Sequence, residues 1–436
     1  MMEIYRDILK ELEAWKTEGF QKPLLLSGAR QIGKTWAMRQ FGKKNYKYVA
    51  EFNFDRTEEL QNVFAATKEP SRLIKELSLH TESPIVPGET LIIFDEIQEC
   101  ERALNSLKYF CEDAPQYHIV AAGALLGVAV RKKNMSVPVG KVRLMEMYPI
   151  MFSEFLQAAA PDVFQYVDGV EKPEPLPEII FNKLMTEYRR YLLSGGMPEV
   201  LSSLLKGAGM QDVDAIHQNI LDLYRLDFAK YTTSVENNRI DMLWKSLPSQ
   251  LAKANKKFVY NVVKPGARAR EYEDALLWLE NAGLIHRVSA VSKPGMPLSA
   301  YMELDNFKIY ASDCGLLRHL AGLSAAALTD GGAYFTEFKG ALAENYVQQS
   351  LVANGFVPYF WTSGNTAEVD FVLQTDTDII PVEVKSDSRI SGRSLSVYCS
   401  KYAPTTRVRI SGNNLKFNDG LLSLPLPLTD WVERWI

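Results

Sequence analysis

Cysteine is scarce: four in 436 residues, at 100, 111, 314 and 399, with no CxxC pair and only five histidines in the whole chain. That spacing supports neither a zinc cluster nor a disulfide framework, and a reducing, cytoplasmic setting is expected. Apolar runs long enough to cross a bilayer are missing. The opening segment, MMEIYRDILKELEAW, sets apolar residues at helical spacing among acidic ones and lacks the apolar core of a secretory signal, so a soluble protein without membrane contact is expected. A strong charge of one sign is also absent. A net charge of −4 gives no global attraction to nucleic acid, so any such contact must rest on a local patch. Internal repeats and low-complexity tracts are absent too. With 47% apolar residues over this length, three or four domains are expected.

What is present begins with LLLSGARQIGKT at 24 to 35. Leu24, Leu25 and Leu26 suit a buried strand. Gly28, Ala29, Arg30, Gln31, Ile32, Gly33, Lys34 and Thr35 spell GxxxxGKT, whose glycines permit a backbone that wraps its amide hydrogens around an anion. Lys34 then reaches the β and γ phosphates of a nucleotide, Thr35 offers a hydroxyl to Mg²⁺, and Trp36 to Phe41 begin a helix with its positive end toward the phosphates. Further on, TLIIFDE at 90 to 96 has four apolar residues in a row, as in a strand buried on both faces, and leaves Asp95 and Glu96 at its C-terminal end. Asp95 suits Mg²⁺ through its water shell, and Glu96 suits the general base that polarises an attacking water. Tyr48 to Phe54 reads as a strand inserted between the P-loop and acidic strands. A helix over about Ala103 to Glu112 and a strand at Tyr117 to Ala122 follow, the strand ending at Gly123 and Ala124 beside the γ phosphate.

Downstream, EKPEPLP at 171 to 177 is a break, and Gly195 to Pro198 end a helix beginning near Glu178. Helical periodicity resumes over Asp214 to Lys230 and Arg239 to Ala254. Lys253, Lys256, Lys257, Lys264, Arg268 and Arg270 then fall together with no acidic residue among them. Around them lie a helix, a turn with Pro265 and Gly266, a helix at Glu271 to Asn281, Gly283 and the strand LIHRV. That order resembles a winged helix with Lys293 to Pro297 in its hairpin, and its cations suit DNA phosphates or, alternatively, a plain protein contact. Near the C-terminus, EVDFVL at 368 to 373 and PVEVK at 381 to 385 alternate with period two. Glu368 and Asp370 share one face of a strand, as do Glu383 and Lys385 of the next. Ahead of them a helix over about Glu337 to Asn354 carries Glu344. A helical Glu, a strand Asp and ExK on the paired strand resemble the PD-(D/E)xK nuclease fold; Glu344, Asp370 and Glu383 suit one or two Mg²⁺, and Lys385 suits stabilising or deprotonating the attacking water.

The chain as a whole resembles the AAA-type ATPases. More narrowly, it is similar to a bacterial and archaeal family that couples such a domain to a C-terminal domain of unknown function. The marks are GARQIGKT, FDEIQ at 94 to 98, PVGKVRLMEMYPIMFSEFL at 138 to 156, SGGMPEV at 194 to 200 and KIYASDCGLL at 308 to 317. Relatives usually carry a polar residue after the glycine at the sensor strand end, where this chain has Ala124; a backbone group or Asn105 is left to supply that contact. The resemblance to oligomeric ATPases implies that Lys141 and Arg143 complete a neighbour's site in a homo-oligomer.

The expected fold class is α/β: a parallel-sheet P-loop ATPase core at 1–156, a helical lid region at 157–235, a winged-helix-like domain at 236–300 and a PD-(D/E)xK nuclease-like α/β domain at 301–436. The expected function is an Mg²⁺-dependent ATPase coupling ATP to its C-terminal region. The alternatives are an ATP-gated DNA or RNA nuclease and a slowly hydrolysing, nucleotide-switched scaffold that acts on a protein partner in regulation or defence.

Overall fold

Five short strands, most of them continuous apolar runs, build the first sheet: β1 (Leu24–Ser27), β2 (Tyr48–Asn53), β3 (Thr90–Asp95), β4 (His118–Ala122) and β5 (Arg143–Glu146). All pairings are parallel, in the order β2-β3-β4-β1-β5. In this computed structural model the described residues are 4–19, 21–132, 136–230, 232–253, 256–323, 336–364, 367–386 and 393–436. They fall into two compact units, one of Arg6–Tyr148 with Asn281–Gly283, the other of Met1–Tyr5, Pro149–Glu280 and Leu284–Ile436.

The first unit has the parallel α/β core that was expected, with a different strand order and with β5 as a strand the sequence reading does not name. The strand between the P-loop strand and the acidic strand is β4, not Tyr48–Asn53, which lies outside β3 at the sheet edge. The burial patterns carry the reason: β3 is buried at every position, as an interior parallel strand must be, whereas β2 alternates and turns Glu51 outward. Phe52, Phe54, Phe64 and Phe94 form the aromatic centre of the core, with ring centroids 5.5 to 6.0 Å apart in edge-to-face contacts.

The second unit begins with helices, among them Glu178–Ser194, Met210–Lys230 and Ser234–Leu251. It continues into β6 (Ile285–Val291), β7 (Met302–Ala311), β8 (Tyr359–Thr362), β9 (Glu368–Gln374), β10 (Ile379–Val384), β11 (Arg407–Ser411), β12 (Lys416–Asn418) and β13 (Leu421–Pro425). These make one sheet in the order β12-β13-β11-β10-β9-β8-β6-β7. The helix Thr336–Ala353, β8, β9, β10, the helix Arg393–Tyr402 and β11 follow one another in the chain. β6 and β7 pair antiparallel around Lys293 to Pro297, as the hairpin reading expects, and β6 also pairs in parallel with β8. The sheet therefore runs through the boundary expected at residue 300.

Two marks of the resemblance interlock in this unit. Asp313, buried beneath the sheet end, caps the helix Cys314–Leu320 by accepting from Leu316 N at 2.8 Å, and it also accepts from Gly196 N at 2.6 Å. Burial pushes its pKa up to about 6, although amide donors from Gly196, Leu316 and Gly315 favour its charged form. Gly195 has φ 66°, and a side-chain carbon there would sit 2.1 Å from Asp313 Oδ1. SGG and SDCG are thus a packing pair that only glycine allows. Gly195→Ala is expected to destabilise the protein by on the order of 3 kcal/mol in urea unfolding, through backbone strain and the clash together; a change within experimental error would contradict the interlock.

Candidate functional site

The phosphate loop is held in shape by residues that only its backbone explains. Gly28, Gln31 and Gly33 adopt φ of 130°, 66° and 96°, and a side-chain carbon on Gly28 would lie 2.2 Å from Met147 O. Arg6 braces the loop by donating to Ile32 O at 3.0 Å and Tyr148 O at 2.7 Å. An isolated arginine in an amphipathic segment belongs to no motif, so its role is invisible in the sequence. Gly33 hands the chain to the helix Lys34–Asn45.

At the C-terminal ends of the neighbouring parallel strands, the same edge of the sheet as the loop, the expected groups converge. Thr35 Oγ1 donates to Asp95 Oδ2 at 3.1 Å, and Asn53 Nδ2 donates to the same oxygen at 3.3 Å. A hydroxyl and a carboxylate in mutual contact are the donor set Mg²⁺ takes beside a nucleotide, so the residues present fit that ion. Asp95 is buried, and burial followed by repulsion from Glu96 raises its pKa, with Thr35 opposing. Glu96 sits next to it with φ 53°, its amide donating to Asp95 Oδ1 at 3.2 Å. Gln98 was not anticipated: its Nε2 donates to Glu96 Oε2 at 2.5 Å. Ala124 is buried just beyond β4. Asn105 is half-buried in the helix Glu101–Asp113. Lys141 pairs with Glu112 at 2.8 Å, and Arg143 with Glu18, both within this unit.

Lys34 is the group under greatest tension. Its ammonium rests on Gly28 O at 2.8 Å and Ala29 O at 2.6 Å, and burial lowers its pKa to about 8 against the attraction of Glu96 and Asp95. Dipoles of two carbonyls do not replace lost water, whereas a phosphate would.

The C-terminal constellation is rearranged relative to expectation. Glu344 is buried on the helix Thr336–Ala353, with Oε2 held by Lys256 and Oε1 accepting from Lys308 Nζ at 3.2 Å and Tyr310 OH at 2.5 Å. Burial would raise its pKa, but the two ammoniums and the tyrosine hold it at about 2. Lys308 is 0% exposed and also reaches Glu368 at 2.5 Å; burial opposes its charge, yet Glu344, Glu368 and Asp370 raise its pKa. Lys308 and Tyr310 open the KIYASDCGLL mark, yet the sequence assigns neither a role, because both sit in a strand that reads as ordinary core. Asp370 has its pKa raised to about 6 by burial and then by Glu344, and it accepts from Val384 N at 2.8 Å. The β9–β10 ladder ends with Val382 opposite Phe371, so the next positions are Glu383 and Asp370. Glu383 Oε2 accepts from Arg409 at 3.0 Å and its Oε1 lies 3.4 Å from Lys385, with no hydrogen-bond partner among the described residues. Asp370 and that carboxylate oxygen, which among the described residues is free of hydrogen bonds and held only in the ion pair with Lys385, suit a divalent cation; Glu344, whose oxygens are taken by lysines and Tyr310, does not.

The basic run also divides. Lys253 donates to Gln250 at 3.1 Å and Lys256 is committed to Glu344, whereas Lys264, Arg268 and Arg270 are exposed. Lys257 is half-buried. Among the described residues Asp214, His217 and His319 also place ligand atoms within 4.8 Å of one another. The Arg318 guanidinium fills that position, donating to Asp214 and, at 3.2 Å, to His217 Nδ1, so the trio holds an arginine rather than a metal.

The depressed Lys34 pKa has a consequence for the free protein. Unfolded Lys34 keeps its proton to about pH 10.5 and folded Lys34 only to about 8, so folding releases a proton between those values and stability rises with pH across that window. Below it the whole penalty is present. Lys34→Met without nucleotide is therefore expected to melt above the wild type at neutral pH, with the gap closing as pH rises toward 10.5; a pH-independent difference in scanning fluorimetry would refute the assignment.

An AAA domain family matches residues 20–156, and two families described as domains of unknown function match 185–327 and 339–429. No curated protein matches the chain. Among solved structures, a Walker-type ATPase of Pyrococcus abyssi is 14% identical, with 73% of this chain and 96% of that one covered at a TM-score of 0.44. The Thermotoga maritima RuvB Holliday junction branch migration motor is 14% identical, with coverages of 65% and 90% at 0.31. The Aeropyrum pernix ORC1 protein in complex with DNA is 12% identical, with coverages of 72% and 90% at 0.30. No helix of the described residues is long and apolar enough to cross a membrane. The AAA match falls on the parallel five-stranded α/β sheet, which is a P-loop ATPase core followed by helical and α/β regions.

Proposed function

We propose that the chain is an Mg²⁺-dependent ATPase whose nucleotide state is passed to its C-terminal region. The observation that carries this reading is the meeting of Lys34, Thr35, Asp95 and Glu96 around one loop, with Lys34 buried against two loop carbonyls. The loop amides and Lys34 would bind the β and γ phosphates, and the ammonium would trade two carbonyls for phosphate oxygens. Mg²⁺, held by Thr35 and Asp95, would supply charge neutralisation on the phosphate oxygens. Glu96 would accept a proton from the attacking water as its oxygen bonds to the γ phosphorus and the bond to the β-phosphate oxygen breaks. Glu96→Gln is expected to lower steady-state ATP turnover by about a hundredfold or more while fluorescent ATP still binds. Unchanged turnover would remove Glu96 from this role.

A second reading, an ATP-gated nuclease, is supported by one observation: Asp370 and Glu383 take opposed positions on adjoining strands, with Glu383 Oε1 free of hydrogen bonds among the described residues and in ion-pair range of Lys385. Asp370 and Glu383 would hold the cation, Lys385 would stabilise the attacking water, and the exposed Lys264, Arg268 and Arg270 would meet the phosphate backbone of DNA. Purified protein is expected to cut nucleic acid with Mn²⁺, and Asp370→Ala to abolish cutting with ATP binding intact. Absence of cutting by the wild type, or its survival in the variant, would rule this reading out.

A further inference from the structure

Gln98 follows the general base by two residues, in the short turn Ile97–Glu99, and is 3% exposed. Its amide is used at one end only. Nε2 donates to Glu96 Oε2 at 2.5 Å, while Oε1 is buried and has no partner among the described residues. That oxygen faces the end of β4, where a side-chain carbon on Gly123 would lie 2.2 Å from it. The next residue, Ala124, has nothing polar to offer. Glu96 itself stands in the left-handed region at φ 53°, a conformation that needs outside support in a residue other than glycine. A neutral amide meets that need without adding charge beside Asp95. Leaving a buried carbonyl without a donor costs roughly 1 to 3 kcal/mol, so the arrangement has a reason beyond packing.

We infer that Gln98 is the positioning residue of the hydrolytic step. It fixes the Glu96 carboxylate toward the γ-phosphate side of the site, and it ties that carboxylate to the β4 end through Gly123, doing the work that Ala124 cannot do. The unpaired Oε1 is the acceptor that a group arriving with the nucleotide, its water included, would satisfy. Gly123 is glycine because a side chain there would push the amide off Glu96. This inference rests on the ATPase reading and deepens it.

The test is a double-variant cycle in the full-length protein. Gln98→Met keeps the length and apolar bulk of the side chain but cannot donate to Glu96 and accepts only weakly. Gly123→Ala retains the Gln98 residue but pushes its amide aside; Gly123 has no left-handed φ, so alanine strains no backbone. Each is expected to lower kcat by about tenfold or more, with KM, fluorescent ATP affinity and melting temperature near those of the wild type. The double variant should be no slower than the slower single variant, because both break one link. A kcat unchanged in Gln98→Met overturns the proposal. So do multiplying effects in the double variant, or losses of kcat that track losses of melting temperature in both variants. A wild type that binds ATP but never turns it over overturns the ATPase reading instead.

Discussion

One carboxylate oxygen, Asp95 Oδ2, is where three strands of the first sheet are brought into register. Thr35, in the helix that the phosphate loop joins to β1, and Asn53, at the end of β2, both donate to it. Asp95 is buried, so those donors are what make its charge tolerable there. Moving any one of the strands by a residue would turn its polar end into the core and leave a buried charge unpaired. The phosphate loop, the acidic strand end and Glu96 are aligned because that register is fixed.

Two buried lysines show how partner chemistry separates a working group from a structural one. Lys34 has two carbonyls for company and its pKa falls to about 8. Lys308, more deeply buried, has Glu344, Glu368 and Asp370 around it and its pKa rises. The first is an incomplete ion pair that an incoming phosphate would complete; the second is complete, and removing a partner from it would strand a charge in the core. The same comparison sorts the acids: Glu344 is spent on lysines, while Glu383 keeps one oxygen free of hydrogen bonds among the described residues, with only the ion pair to Lys385 on it.

The ATP loop and acidic strand were legible because their chemistry is local: glycines, lysine and threonine at fixed spacing, and a carboxylate pair closing an apolar run. The long helices and β1 to β4, β6, β9 and β10 were legible from apolar runs and periodicity, whereas β5, β7, β8 and the strands after β10 were not. What sequence could not show was long-range pairing. Gln98 lies inside a recognised motif, yet its contact with Gly123 depends on β4 standing beside β3. Arg6, Asn53, Lys308 and Tyr310 act on partners many residues away. The basic run looked uniform, and only the fold divides Lys256, which closes on Glu344, from Lys264, Arg268 and Arg270 in solvent. The Gly195–Asp313 pair was visible as two separate motifs whose meeting had no sequence signal.

The second sheet's continuity has a mechanical meaning. Since β6 is hydrogen-bonded to β8, and β8 to β9, the hairpin of β6 and β7 is no free arm. From β6 to β10 is three strand steps, or about 14 Å at the usual spacing. A polymer gripped by the hairpin would be held at that set span from Glu383 on β10 and one strand step nearer to Asp370 on β9, so the sheet would act as a ruler, presenting the same stretch of whatever is gripped to the same carboxylates each time.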